Sequence, residues 1–285
     1  MSALPLAASV SEAWVLGLEE VVAAPDGRLV HLVVTVTEPG AELAPVRRAL
    51  DSALEAADKH SVDTVAETIF PSSLYPNPGF DWMPGIAAQK EAELDAAADA
   101  LYASYCDVLP LLSSIVANNR GTYFGRMVSW PGKEAGGPNQ LAARISALRA
   151  KHRAGVRRNN TLDMDIAADS QEPLRGVQVY AATDRRPLGF PCLTHVDLTL
   201  HDGRLHCLAV YRHQYFFEKA YGNMLGLSEM LQFLCQQSGY APGELVVHAT
   251  MADAQRRAFP GVAQLAATAR EALDASLHVG TGGIQ

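Results

Sequence analysis

The sequence predicts an α/β (α+β) fold, with a mixed β-sheet flanked by helices and a long buried central helix. Three observations carry this. Short β-branched stretches such as "RLVHLVVTVTEP" and "GELVVHATM" are interleaved with segments of helical periodicity. The run "NMLGLSEMLQFLCQQSG" (223–239) is apolar on most sides, and a helix of that kind belongs in the middle of a domain. No repeat and no linker interrupts the 285 residues, so one domain over 1–285 with a large core is expected.

In chain order, 28–39 reads as a strand ended by Pro39, and "ELAPVRRALDSALEAADKH" (42–60) as a helix by periodicity and composition. "SVDTVAETIFP" (61–71) is a short apolar helix or strand stopped at Pro71, followed by a Pro/Gly-punctuated loop over 72–85. Residues 88–117 are helical, with Pro110 expected to break or kink them. A second loop (118–139) leads to "QLAARISALRAKHRAG" (140–155), an amphipathic helix whose basic face is expected to be solvated. "EPLRGVQVYAATD" (172–184) reads as a strand, and the segment after 252 holds further helix.

Composition excludes several classes. The net charge of −8 argues against a general nucleic-acid binder, which needs a basic face, but leaves room for a small anion held by a few arginines. No segment offers the ~18 apolar residues of a spanning helix, so no membrane partner is expected. "MSALPLAASVSEAW" lacks a basic region and a long apolar run, so no signal peptide is expected and the chain reads as cytoplasmic. Cys106, Cys192, Cys207 and Cys235 form no CxxC pair and read as thiols, with Cys106 and Cys235 expected in the core. The nine histidines include no HExxH, so no metal site is expected.

The stretch "GFPCLTHVDLTLHDGRLHCLAVYRH" (189–213) is a hairpin with Asp202-Gly203 as a two-residue turn. His201 then pairs with Arg204. One face carries Thr194, Val196, Leu198, Leu200, Leu205, Cys207 and Ala209, which is the expected core face. Cys192 and Arg212 fall at the open end, on opposite faces of an ideal ladder. A bulge or frayed ends are needed to bring thiol and guanidinium together. The residues alone leave Cys192 either a nucleophile or a buried thiol.

From Phe190 to Ala249 the chain resembles the C-terminal half of thymidylate synthase. Pro191-Cys192, Arg212 at the end of the return strand, Asn223 opening the apolar helix, "CQQSG" and "APGEL" match without insertion or deletion. Upstream, "VAETIFP" resembles the helix carrying the family's active-site glutamate, here Glu67. "GTYFGRMVSWP" resembles a loop with a conserved tyrosine; Phe124 occupies that position and Tyr123 stands beside it. "EPLRGVQVY" resembles the strand that reaches phosphate across the dimer, with Arg175 present and Leu174 in place of a second arginine.

The resemblance implies a thymidylate synthase-like layered fold, a homodimer and one-carbon transfer to C5 of a pyrimidine nucleotide. The donor would be 5,10-methylenetetrahydrofolate. Cys192 would add to C6, turning C5 into a nucleophile. Arg212 would favour the thiolate and grip phosphate, Glu67 would move protons, and Asn223 would read the base edge, in the manner of uracil-specific members. Tyr123 and Arg175 are the further expected substrate contacts. Tyr215 stands where an aspartate contacts the folate pterin, and is the expected cofactor contact. Other departures are His213 for serine, Lys219, Tyr221 and Gly222 before Asn223, Asp253 and Gln255 in place of the sugar-holding pair, and Leu193 after the nucleophile. These imply a divergent relative, with hydroxymethylation leaned towards over methylation. Folate-independent C5 chemistry and a non-catalytic nucleotide- or partner-binding relative are the alternatives.

Overall fold

The computed structural model describes residues 2–79, 86–115, 118, 121–130, 132–158, 164–165 and 191–281. The elements are β1 (Ser2–Ala7), α1 (Val10–Ala23), β2 (Arg28–Val36), α2 (Ala44–Ala56), α3 (Val62–Ala66), α4 (Ile86–Gln89), α5 (Glu91–Ser114), α6 (Tyr123–Val128) and α7 (Gln140–Arg153). They continue with β3 (Met164–Asp165), β4 (Leu193–His201), β5 (Arg204–Tyr211), β6 (Gln214–Tyr215), a π-helical turn (Phe216–Ala220), α8 (Tyr221–Ser238), β7 (Ala241–Asp253) and α9 (Val262–Thr281). The expected mixed sheet with flanking helices is present. Among the described residues no helix is long and apolar enough to cross a membrane. The chain divides into two compact units, one of residues 1–66, 210–228 and 244–285, the other of residues 67–209 and 229–243.

In the first unit β2 pairs parallel with β1 and antiparallel with β7, and β6 pairs parallel with β7. β1 and α1 were not assigned from the sequence, for identifiable reasons. Pro5 lies where the β1–β2 register shifts between Ala3 and Leu6, and proline is tolerated in strands at edges and irregularities. In α1, Val10, Ala13, Trp14, Leu18 and Val21 form a fully buried stripe at helical spacing. Ser9 caps that helix by accepting from the Glu12 amide at 3.1 Å. Gly17 permits a close approach: a Cβ there would stand 2.4 Å from the Phe216 ring. The Trp14 indole N–H donates to the Phe216 carbonyl at 2.9 Å, fixing the π-helical turn against α1. Val46, Leu50 and Leu54 of α2 form a buried stripe, and α9 packs against both α1 and α2 through Val262, Leu265, Ala269 and Leu273.

The second unit holds the β4–β5 hairpin, with β3 antiparallel to β4, and the helices α4 to α7. Asp202 and Gly203 have φ of 50° and 81°, the two left-handed residues of a type I′ turn, so the hairpin forms where its sequence placed it. The predicted core face is buried from Thr194 to Ala209. α8 continues into this unit from Glu229. Every described position from 221 to 240 is buried except Glu229 and Gln232, as an all-round apolar helix requires. Phe233 packs against Phe70 and Tyr75, with ring centroids 5.1 and 5.0 Å away.

Three expectations are corrected. α5 runs through Pro110 to Ser114 without breaking. Cys106 is half-buried rather than in the core, whereas Cys207 and Cys235 are buried. On α7 the face expected to be solvated carries Arg149, 7% exposed. Its Nε and Nη2 donate to the backbone and side-chain oxygens of Gln237 at 2.6 and 2.7 Å, and Nη1 to Asp95 at 2.6 Å. Gln237 in turn donates to the Leu94 carbonyl at 2.9 Å, so this cation joins α5, α7 and α8. The predicted strand 172–184, and Arg175 with it, lies outside the described residues.

Candidate active site

Cys192, Tyr123 and Glu67 belong to the second unit; Arg212, Tyr215 and Asn223 belong to the first. β4 begins at Leu193 and β5 ends at Tyr211, so neither Cys192 nor Arg212 is part of the ladder. Strand alternation, which would set them on opposite faces, therefore fixes neither side chain.

Cys192 is half-buried, in no disulfide, and lies in the bend that leads into β4. Its segment is held by Tyr123, whose hydroxyl accepts the backbone N–H groups of Cys192 at 3.1 Å and Leu193 at 3.3 Å. Burial, then the charge of a Cys192 thiolate, pushes the Tyr123 phenol up to about 12, so it is neutral at physiological pH. Phe124 is fully buried in the aromatic core, 5.9 Å from Phe70 and 4.8 Å from Tyr105 between ring centroids. Tyr123, the first residue of α6, is the aromatic residue that reaches the cysteine segment. Tyr123→Phe would leave two amides without that acceptor; we expect a loss of about 1–3 kcal/mol in urea unfolding. An unchanged midpoint would show that the hydroxyl does not anchor the segment.

Glu67 follows α3, and its carboxylate accepts from the Ser73 amide at 2.9 Å and from the Ser73 and Ser72 hydroxyls at 2.9 and 3.3 Å. Both of its oxygens are therefore already engaged by the turn over Ser72–Leu74.

In the first unit, Arg212 and His213 form the bend between β5 and β6. Asn223 lies inside the first turn of α8 and is 6% exposed, so it does not act as the N-cap. Its Nδ2 lies 3.5 Å from Oε1 of the buried Gln214, a long contact. Tyr215, opposite Asp253 in the β6–β7 ladder, is 42% exposed with its ring 4.5 Å from that of His213. Burial, partly offset by Asp253, holds the His213 imidazole below its ordinary pKa.

Tyr215 lines an open cleft of about 530 Å³ together with Asp26, Arg28, Asp253, Gln255, Arg256, Arg257 and Ala258. Arg28 pairs with Asp253 at 3.0 Å. Gln255 holds a left-handed backbone (φ 59°), accepts the Glu218 backbone amide on Oε1, donates Nε2 to the Glu218 carboxylate, and donates its own amide to Asp253 at 2.7 Å. Asp253 and Gln255 are thus both tied to other protein groups. Arg256 donates to the carbonyls of Val22 and Ala24. Three guanidiniums against two carboxylates leave the cleft net positive in a chain of net charge −8, and an exposed aromatic ring beside cations suits a flat, anionic small molecule. Arg28 stands in no motif, whereas the adjacent Arg256 and Arg257 after β7 are a signal the sequence displays. Among the described residues, no group of three or more His, Cys, Asp or Glu could hold a metal ion.

No protein-family profile matches the chain, and no curated protein sequence matches it.

Proposed function

We propose that the protein is a cytoplasmic, homodimeric one-carbon transferase that hydroxymethylates or methylates C5 of a pyrimidine nucleotide or related ring. The observation that supports this best is the anchoring of Cys192: its segment is tied down by Tyr123 while the residue stays half-buried and outside any disulfide. A nucleophile must be held in place yet reachable. In this reading the Cys192 thiolate adds to ring C6, and the electrons move to C5, which becomes nucleophilic. Arg212 binds the phosphate bidentately. Asn223 presents a donor and an acceptor to the base edge, and Glu67 relays protons. Arg175 would reach phosphate in the partner's site.

The exposed Tyr215 ring and the arginines of its cleft fit the flat pterin and the carboxylates of a folate. 5,10-Methylenetetrahydrofolate, when bound, supplies the electrophilic carbon. Folate-independent C5 chemistry through the same Cys192 addition is the second reading, favoured by the rebuilt surroundings of Asp253 and Gln255. The test is intact-mass analysis after incubation with 5-fluoropyrimidine nucleotides, with and without methylenetetrahydrofolate. A stable adduct on Cys192 that needs the folate is the expected result. An adduct indifferent to folate would favour the second reading, and no adduct with any pyrimidine nucleotide would overturn both.

A further inference from the structure

His31 and His248 are brought together by the β2–β7 pairing, 217 residues apart in sequence. The ladder registers Val30 with Met251 and Leu32 with Ala249 and passes over His31, whose φ is 57°. His31 stands diagonally from His248, which pairs with Val33. This places both imidazoles on the sheet face opposite buried Leu32, Val34, Val247 and Ala249. Left-handed backbone is uncommon outside glycine, although histidine is among the residues that adopt it more readily. Here it accompanies a close approach of two imidazoles. Nδ1 of His31 lies 3.0 Å from Nε2 of His248, and the rings are stacked at 29° with centroids 5.2 Å apart.

We propose that His31 and His248 form a bidentate site for one borderline transition-metal ion, such as Zn²⁺ or Cu²⁺, with water completing its coordination. Two nitrogens at ~2.05 Å from a tetrahedral zinc stand ~3.3 Å apart, so opening the pair by a few tenths of an ångström admits the ion. A tautomer shift turns both facing nitrogens into lone-pair donors. Imidazole suits Zn²⁺ and Cu²⁺, whereas hard ions such as Mg²⁺ prefer oxygen. The two-ligand arrangement has no sequence motif, because the strand pairing alone creates it. It is independent of the thiol chemistry proposed for Cys192.

The test uses the full chain, titrated with zinc chloride against a chromophoric chelator, and with Cu²⁺ followed by electron paramagnetic resonance. The variants are His31→Asn, since asparagine tolerates the left-handed backbone, and His248→Gln. His60→Ala, an exposed histidine outside the pair, is the control. The expected result is one zinc per wild-type chain, weakened by about tenfold or more in each pair variant and unchanged in the control. Nitrogen hyperfine coupling should report two imidazoles in the wild type and one in each variant. Circular dichroism establishes that the variants are folded. Equal zinc affinity in wild type and either pair variant, or no saturable binding by the wild type, would overturn the site.

Discussion

Replacing Cys192 by serine is expected to lower turnover by roughly 10⁴-fold or more while leaving the fold intact. A serine hydroxyl is far less acidic than a thiol, so a cation able to favour a thiolate would still leave the serine protonated at neutral pH. The fold should survive because the Tyr123 hydroxyl grips backbone amides, which the serine variant keeps. The covalent adduct with 5-fluoropyrimidine nucleotides should vanish with activity. The unfolding free energy should stay within about 0.5 kcal/mol. Turnover at the wild-type rate in Cys192→Ser would eliminate the covalent mechanism.

The second large effect is on stability. Arg149→Leu is expected to destabilise the protein by about 3 kcal/mol in urea unfolding. The substitution removes three close hydrogen bonds at once and leaves the buried backbone and side-chain oxygens of Gln237 without their donor. Arg149→Lys should recover little of this, because a point-like ammonium cannot reproduce the fork that serves both Gln237 oxygens and Asp95 together. Asp95→Asn should cost only about 0.5 kcal/mol, since the Asp95 side chain is 54% exposed and its ion pair is screened. A loss below about 1 kcal/mol for Arg149→Leu would show that the network is not the tie between α5, α7 and α8.

The hairpin and α8 were legible because their signals are local. Asp202-Gly203 specifies a type I′ turn, and a two-residue turn fixes the register of every position behind it. An 18-residue helix apolar on most sides has to be covered on most sides, and it is. β1 was not legible, because its pairing with β2 tolerates Pro5 only by shifting register there, a fact about two segments rather than one. Proline inside a helix is expected to break or kink it, and only the break is excluded at Pro110. It removes one donor from α5, and the helix continues, with Leu101, Tyr105 and Leu109 buried ahead of it.

The candidate site divides along the same line. The sequence by itself determined the hairpin, its turn, its core face and the placement of Cys192 and Arg212 at its open end, since all of these follow from two-residue periodicity and one turn dipeptide; that both fall just outside the strands is decided by the structure. It also determined the buried helix that carries Asn223. Only the tertiary structure decided that Tyr123, and not Phe124, reaches the cysteine segment from 69 residues away. It alone buried Arg149 against Gln237, gathered Arg28, Tyr215 and Arg256 around one cleft, and stacked His31 on His248. Each of these depends on which strands and helices become neighbours. That choice is made by the burial of whole apolar faces, which acts over the full length of the chain and leaves no spacing for a short stretch of sequence to display.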